Sequence, residues 1–114
     1  MIAYQDFARL LLDVGEFETM DDYVADCGGS VDGQDVALLP VIWRMGRGGV
    51  KAIRAESGLS QKDFARAYGV PRRTLQNWEL PEESPEHREC PAYMARLMGY
   101  AVLSDREAAG DETD

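Results

Sequence analysis

Histidine is almost missing from this chain and cysteine is rare: 114 residues include one His and two Cys. The shortage removes several chemistries at once. His87 stands alone in a polar stretch, so no Ser/His or Cys/His pair for nucleophilic catalysis can be anchored on it. Cys27 and Cys90 have no second Cys or His at ligand spacing, which argues against a zinc site. Two isolated thiols fit a reduced, cytoplasmic chain. No apolar run approaches the roughly 20 residues needed to cross a bilayer, and "MIAYQDFARLLLDV" lacks the basic leader and small-residue cleavage site of a secretory signal. No membrane partner is expected. Carboxylates are plentiful, but pairs such as Asp21-Asp22 and Glu82-Glu83 are adjacent, do not face each other on a helix, and read as solvated charge. "GRGG", Gly46 to Gly49, lacks the Gly-Lys-Ser/Thr ending of a nucleotide-binding loop. These absences predict no catalytic residue, no metal and no cofactor, and the chain is not expected to be an enzyme.

Positive charge is also short overall, with 12 Lys and Arg against 21 Asp and Glu and a formal net charge of -9. It is concentrated, however. Residues 1–40 carry one Arg and nine acids, residues 41–79 carry eight Lys or Arg and three acids, and residues 80–114 carry three Arg and nine acids. A basic centre lies between acidic flanks. With a Debye length of about 8 Å, a nearby phosphate senses that centre more than the total.

The apolar periodicity is helical throughout and predicts an all-α chain. Phe7, Leu10, Leu11 and Val14 form one stripe of a helix over 4–14, and Met20, Tyr23 and Val24 mark a second over 19–26. "VALLPVIWRM" predicts a third helix with Pro40 in its first turn or at a kink, and "GRGG" predicts a hinge or helix break after it. Val50 and Ile53 then share a side of a helix that Gly58 stops. Ser60 with Asp63 three residues on forms a capping box, ahead of a stripe of Phe64, Ala65 and Tyr68. Gly69 suits a left-handed turn, and Pro71, tolerated at a first helical position, opens a new helix over 71–79. A last helix starts near Pro91, with Tyr93, Leu97 and Ala101 at helical spacing, and "DREAAGDETD" predicts a frayed acidic tail.

The 71–79 helix carries the chemistry. At 100° per residue, Leu75 and Trp78 fall on one side and Arg73, Gln76 and Asn77 on the other, with Arg72 on the flank. Arginine matches the two acceptors of guanine, and Asn or Gln matches the acceptor and donor of adenine, from a helix lying in the major groove. The outer face is suited to reading bases.

Arg54 to Glu79 stands as "RAESGLSQKDFARAYGVPRRTLQNWE". This run resembles the phage-repressor and Cro-like (Xre-type) helix-turn-helix family, whose pattern is approximately R-x-x-x-G-L-S-Q-x-x-x-A-x-x-x-G-V-x-x-x-T-L-x-x-W-E. It covers about a quarter of the chain without a gap, and the stretch around it looks like small bacterial and mobile-element regulators. The resemblance implies a lambda-repressor-like helix-turn-helix domain with a C-terminal helix over 35–104; charge and periodicity set an acidic helical N-terminal extension over 1–34 before it, and composition sets an acidic disordered tail over 105–114 after it. It implies base contacts from Arg72, Arg73 and Asn77, which Gln76 joins from its place on the same outer face, and a structural ion pair between Arg54 and Glu79. Ser60 and Gln61 open the helix that straddles the DNA backbone and are expected at phosphate. Lys62, Arg47, Lys51 and Arg66, read from charge and position, join them as phosphate contacts. Two departures stand out. Pro71 replaces the usual Ser or Thr cap, and Leu80-Pro81 replaces the glycine that commonly follows "WE", so the exit turn is expected to differ.

The expected function is sequence-specific binding of double-stranded DNA by a homodimeric transcriptional repressor. The dimer contact would come from the last helix, with Tyr93, Leu97 and Tyr100, or from the Val36 to Met45 stretch. The alternative is an antitoxin-like or anti-defence interaction module whose acidic N-terminal segment binds a basic protein partner.

Overall fold

Gly49 divides the chain. It lies inside α3 (Leu39–Ser57) at φ 66° and ψ -149°, a backbone region that is essentially restricted to glycine, and two compact units flank it, Met1–Gly49 and Val50–Asp114. In this computed structural model, residues 2–112 are described. Among them there is no strand. The helices are α1 (Tyr4–Asp13), α2 (Met20–Cys27), α3, α4 (Gln61–Tyr68), α5 (Arg72–Glu79) and α6 (Ala92–Glu112), with 3-10 turns at Val14–Glu16, Gly28–Ser30 and Gly33–Leu38. The fold is all-α, and no helix among the described residues is long and apolar enough to cross a membrane.

The first unit is built on α1, α2 and the 39–48 arm of α3. Thr19 accepts the Asp22 amide at 3.2 Å and starts α2. Phe7, Leu10, Val14, Tyr23, Leu39, Ile42 and Met45 are buried. The one polar atom on the buried Tyr23 side chain, its hydroxyl, donates to the Leu10 carbonyl at 2.8 Å. Trp43 packs at 5.4 Å between ring centroids against Tyr23. Gly46 lies so close to the turn that follows α1 that a Cβ there would stand 2.8 Å from Val14. By this packing the first unit extends to Gly49, past the boundary at residue 34 expected from the sequence. Leu39, Ile42 and Met45 bury in the same unit as α1 and α2.

The second unit buries Val50, Ile53, Phe64, Ala65, Leu75, Met98, Val102 and Leu103. On α6 the buried stripe is Met98 with Val102, one position away from the Tyr93, Leu97 and Ala101 spacing. Tyr93 and Leu97 are 56% and 51% exposed. Both stripes are apolar, so periodicity could not choose between them. The tail expected from residue 105 is helical through Glu112. Its first turn has partners: Asp105 accepts the Tyr68 hydroxyl at 2.8 Å, and Arg106 meets Glu56 at 2.7 Å. Thr113 and Asp114, the end of that tail, lie outside the described residues.

Candidate nucleic-acid interface

Local sequence sets the two helices of the interface. Ser60 caps α4, its hydroxyl accepting the Asp63 amide at 3.1 Å. At the other end Gly69 takes φ 69° and ψ 30°, and the Val70 amide reaches back to the Ala65 carbonyl at 3.0 Å. This left-handed closure reverses the chain within a residue, where any side chain would be strained. Pro71 stands at the cap of α5 and not in its first turn, with no side-chain cap bond, and its carbonyl accepts the Leu75 amide at 3.1 Å. Leu75 is fully buried, so it fixes the rotation of α5. Arg72 and Arg73 are consequently exposed, and Gln76, Asn77 and Trp78 are half-buried.

Glu79 locks this arrangement. Its Oε2 accepts Arg54 Nε at 2.8 Å and its Oε1 accepts Arg54 Nη2 at 2.9 Å, a two-pronged pair. Oε1 also accepts Gln61 Nε2 at 3.1 Å, and Arg54 Nη1 donates to the Leu59 carbonyl at 3.1 Å. The 50–57 arm of α3, the start of α4 and the end of α5 thus meet at a carboxylate whose side chain is 4% exposed. Burial alone would raise the Glu79 pKa. The hydrogen bonds from Arg54 and Gln61, with the attraction of Arg54 and Lys51, outweigh it and hold the carboxyl below its ordinary value. Arg54 is shifted up, chiefly by its hydrogen bonds to Glu79.

One open groove of about 610 Å³ gathers Lys51, Arg54, Gln61, Arg73, Gln76, Asn77 and Glu79, and Leu80, Ser84 and Glu86 also line it. Arg72, Ser60, Lys62 and Arg66 do not line it, though all four are exposed. Among the described residues no hydrogen bond or ion pair engages the charged ends of Lys51, Lys62, Arg66, Arg72 or Arg73. Arg47 is not part of this group. It belongs to the first unit, where its guanidinium lies 4.9 Å over the Trp43 ring and donates to the Glu18 carbonyl at 3.4 Å.

The connection after α5 is the part of the site that residue types and spacings did not announce. Leu80 leaves the helix in an extended conformation, and the loop beyond it is stitched back onto α5. The Arg88 amide donates to the Asn77 carbonyl at 3.1 Å, and His87 Nδ1 donates to the Leu80 carbonyl at 2.8 Å. Those bonds occupy carbonyls at the end of α5 that a C-terminal glycine motif would otherwise serve. The missing glycine after "WE" was the only signal, and it pointed to the place without naming His87 or Arg88.

Two short helices joined through Gly69, Val70 and Pro71, the first capped by serine and the second presenting arginines and carboxamides beside a locked frame, constitute a helix-turn-helix, the module with which regulators bind DNA. A helix-turn-helix family model matches residues 50–80. The match covers about a quarter of the chain and supports DNA binding by a regulator as the general class of what this segment does. Compared with the curated proteins and with the solved structures, the chain has no match.

Proposed function

We propose that this protein is a sequence-specific binder of double-stranded DNA that acts as a transcriptional repressor, laying α5 in the major groove while α4 crosses the backbone. One observation carries the reading. Arg72 and Arg73 are exposed and unengaged on a helix whose rotation is fixed by buried Leu75 and whose end is tied down by Glu79. In this reading Arg72, Arg73, Gln76 and Asn77 meet bases, and Ser60, Gln61, Lys62, Lys51 and Arg66 meet phosphates. Folds of this kind act as dimers on half-sites one helical turn apart, and the exposed Tyr93 and Leu97 of α6 supply an apolar surface for self-association. Selection of bound sites from a random duplex pool tests the proposal. The expected result is a two-fold symmetric motif, retained by the wild type and lost on Arg73→Ala. Recovery of no preferred sequence would remove specificity from the reading.

A second reading rests on the first unit, which holds nine acids and three Arg. A basic protein partner fits that imbalance. Capture of such a partner, abolished by replacing Asp21, Asp22 and Asp26 with Asn, would favour it.

A further inference from the structure

The groove that holds the base-reading side chains has an acidic wall. Glu86 lines it together with Arg73, Gln76 and Asn77, and Glu82, Glu83 and Glu89 are exposed on the same 80–91 connection. This connection is anchored as well as charged. Besides the Arg88 bond to α5 and the His87 bond to Leu80, the Ser84 amide donates to the Pro81 carbonyl at 2.9 Å and the His87 amide to the Ser84 carbonyl at 3.1 Å. The Ser84 hydroxyl donates to Glu86 Oε2 at 3.2 Å. The connection that carries the carboxylate is therefore anchored to the end of α5, and the carboxylate itself is held by the Ser84 hydroxyl. It lines the same groove as Arg73, Gln76 and Asn77, and no cation among the described residues pairs with it.

We propose that Glu86 is an affinity-limiting residue of the DNA site: its fixed carboxylate repels the backbone of any duplex seated on α5 and lowers binding to all sequences alike. The inference rests on the DNA reading given under Proposed function. Phosphate attraction supplies essentially all of non-specific binding, and a like charge held in a cleft opposes that term directly. In a chain with 12 cations against 21 acids, the effect keeps random DNA from occupying the site. A carboxylate can also accept a hydrogen bond from the cytosine amino group, and the test separates the two roles.

The experiment compares wild type, Glu86→Gln and the triple variant Glu82→Gln, Glu83→Gln, Glu86→Gln on a random-sequence duplex and on the duplex recovered by selection, across a salt series. Gln keeps an oxygen to accept the Ser84 hydroxyl, so the loop bond survives. Repulsion predicts tighter binding of both duplexes at low salt, about threefold for Glu86→Gln and about tenfold for the triple variant, with the gain shrinking as salt screens the charge. Unchanged affinity for Glu86→Gln overturns the inference. So does weaker binding confined to the selected duplex, which marks Glu86 as a base-reading group. If wild type binds and loses binding on Arg73→Ala while Glu86→Gln brings no gain, this inference alone fails. If no variant retains any duplex, the DNA reading fails with it.

Discussion

Arg54 and Glu79, twenty-five positions apart in the chain, meet through two parallel contacts of 2.8 and 2.9 Å, and the carboxylate they share with Gln61 is nearly sealed from water. Removing one partner from such a pair strands the other charge, a loss on the order of 3 kcal/mol. Glu79→Ala is expected to lower unfolding stability by about that much in denaturant titration, and Arg54→Ala by a similar or smaller amount because its side chain is 21% exposed.

The same pair makes stability acid-sensitive. Glu79 has a lowered pKa in the folded protein, so its contribution is complete above the unfolded value of about 4.3 and is lost as pH falls through the lower folded value. Glu79→Gln is expected to flatten the fall of melting temperature below about pH 4.3 relative to wild type. Parallel curves for the two proteins through that range would contradict the assignment.

Contacts to bases and to phosphates part company on mutation. Arg73→Ala or Asn77→Ala is expected to cost about 1–3 kcal/mol on the selected duplex and to relax preference at one position, whereas Lys62→Ala weakens all duplexes alike and reduces the salt slope by about one. Equal losses on random DNA for all three would refute these roles.

Gly46 faces Val14 at a distance no side chain tolerates. Gly46→Ala is expected to destabilise the first unit by about 1–3 kcal/mol through overpacking. Val14→Ala in the same chain should recover part of the loss, seen as a favourable coupling in a double-mutant cycle.

Gly49 is a different case, since nothing lies within 4 Å of the Cβ it lacks. Gly49→Ala costs conformational energy alone, on the order of 1–3 kcal/mol, and no substitution at a neighbouring side chain should relieve it.

The helix-turn-helix was legible because its signals are local. Ser60 ahead of Asp63, Gly69 at the reversal and the Leu75 spacing each fix one backbone decision within a few residues, and the helices observed obey them. The Gly49 break was legible for the same reason. The boundary of the first unit was not, because it depends on whether the 39–48 stretch buries against the segment before it or the segment after it, and an apolar stripe carries no address. The rotation of α6 was hidden by two overlapping apolar stripes. At the interface, the residues proposed to touch DNA were visible as types and spacings, and the 80–91 connection was not, since its bonds to the Asn77 and Leu80 carbonyls use backbone atoms that every residue possesses.

The unengaged state of Arg72 and Arg73 has an evolutionary consequence. Side chains with no structural duty can be exchanged without disturbing the parts that keep the molecule folded, so a lineage carrying this frame is free to drift at positions 72 and 73 while position 79 stays constrained. Recognition and stability are encoded at separate sites, and a laboratory library confined to the outer face of α5 should yield altered targets from proteins that melt at nearly the parental temperature.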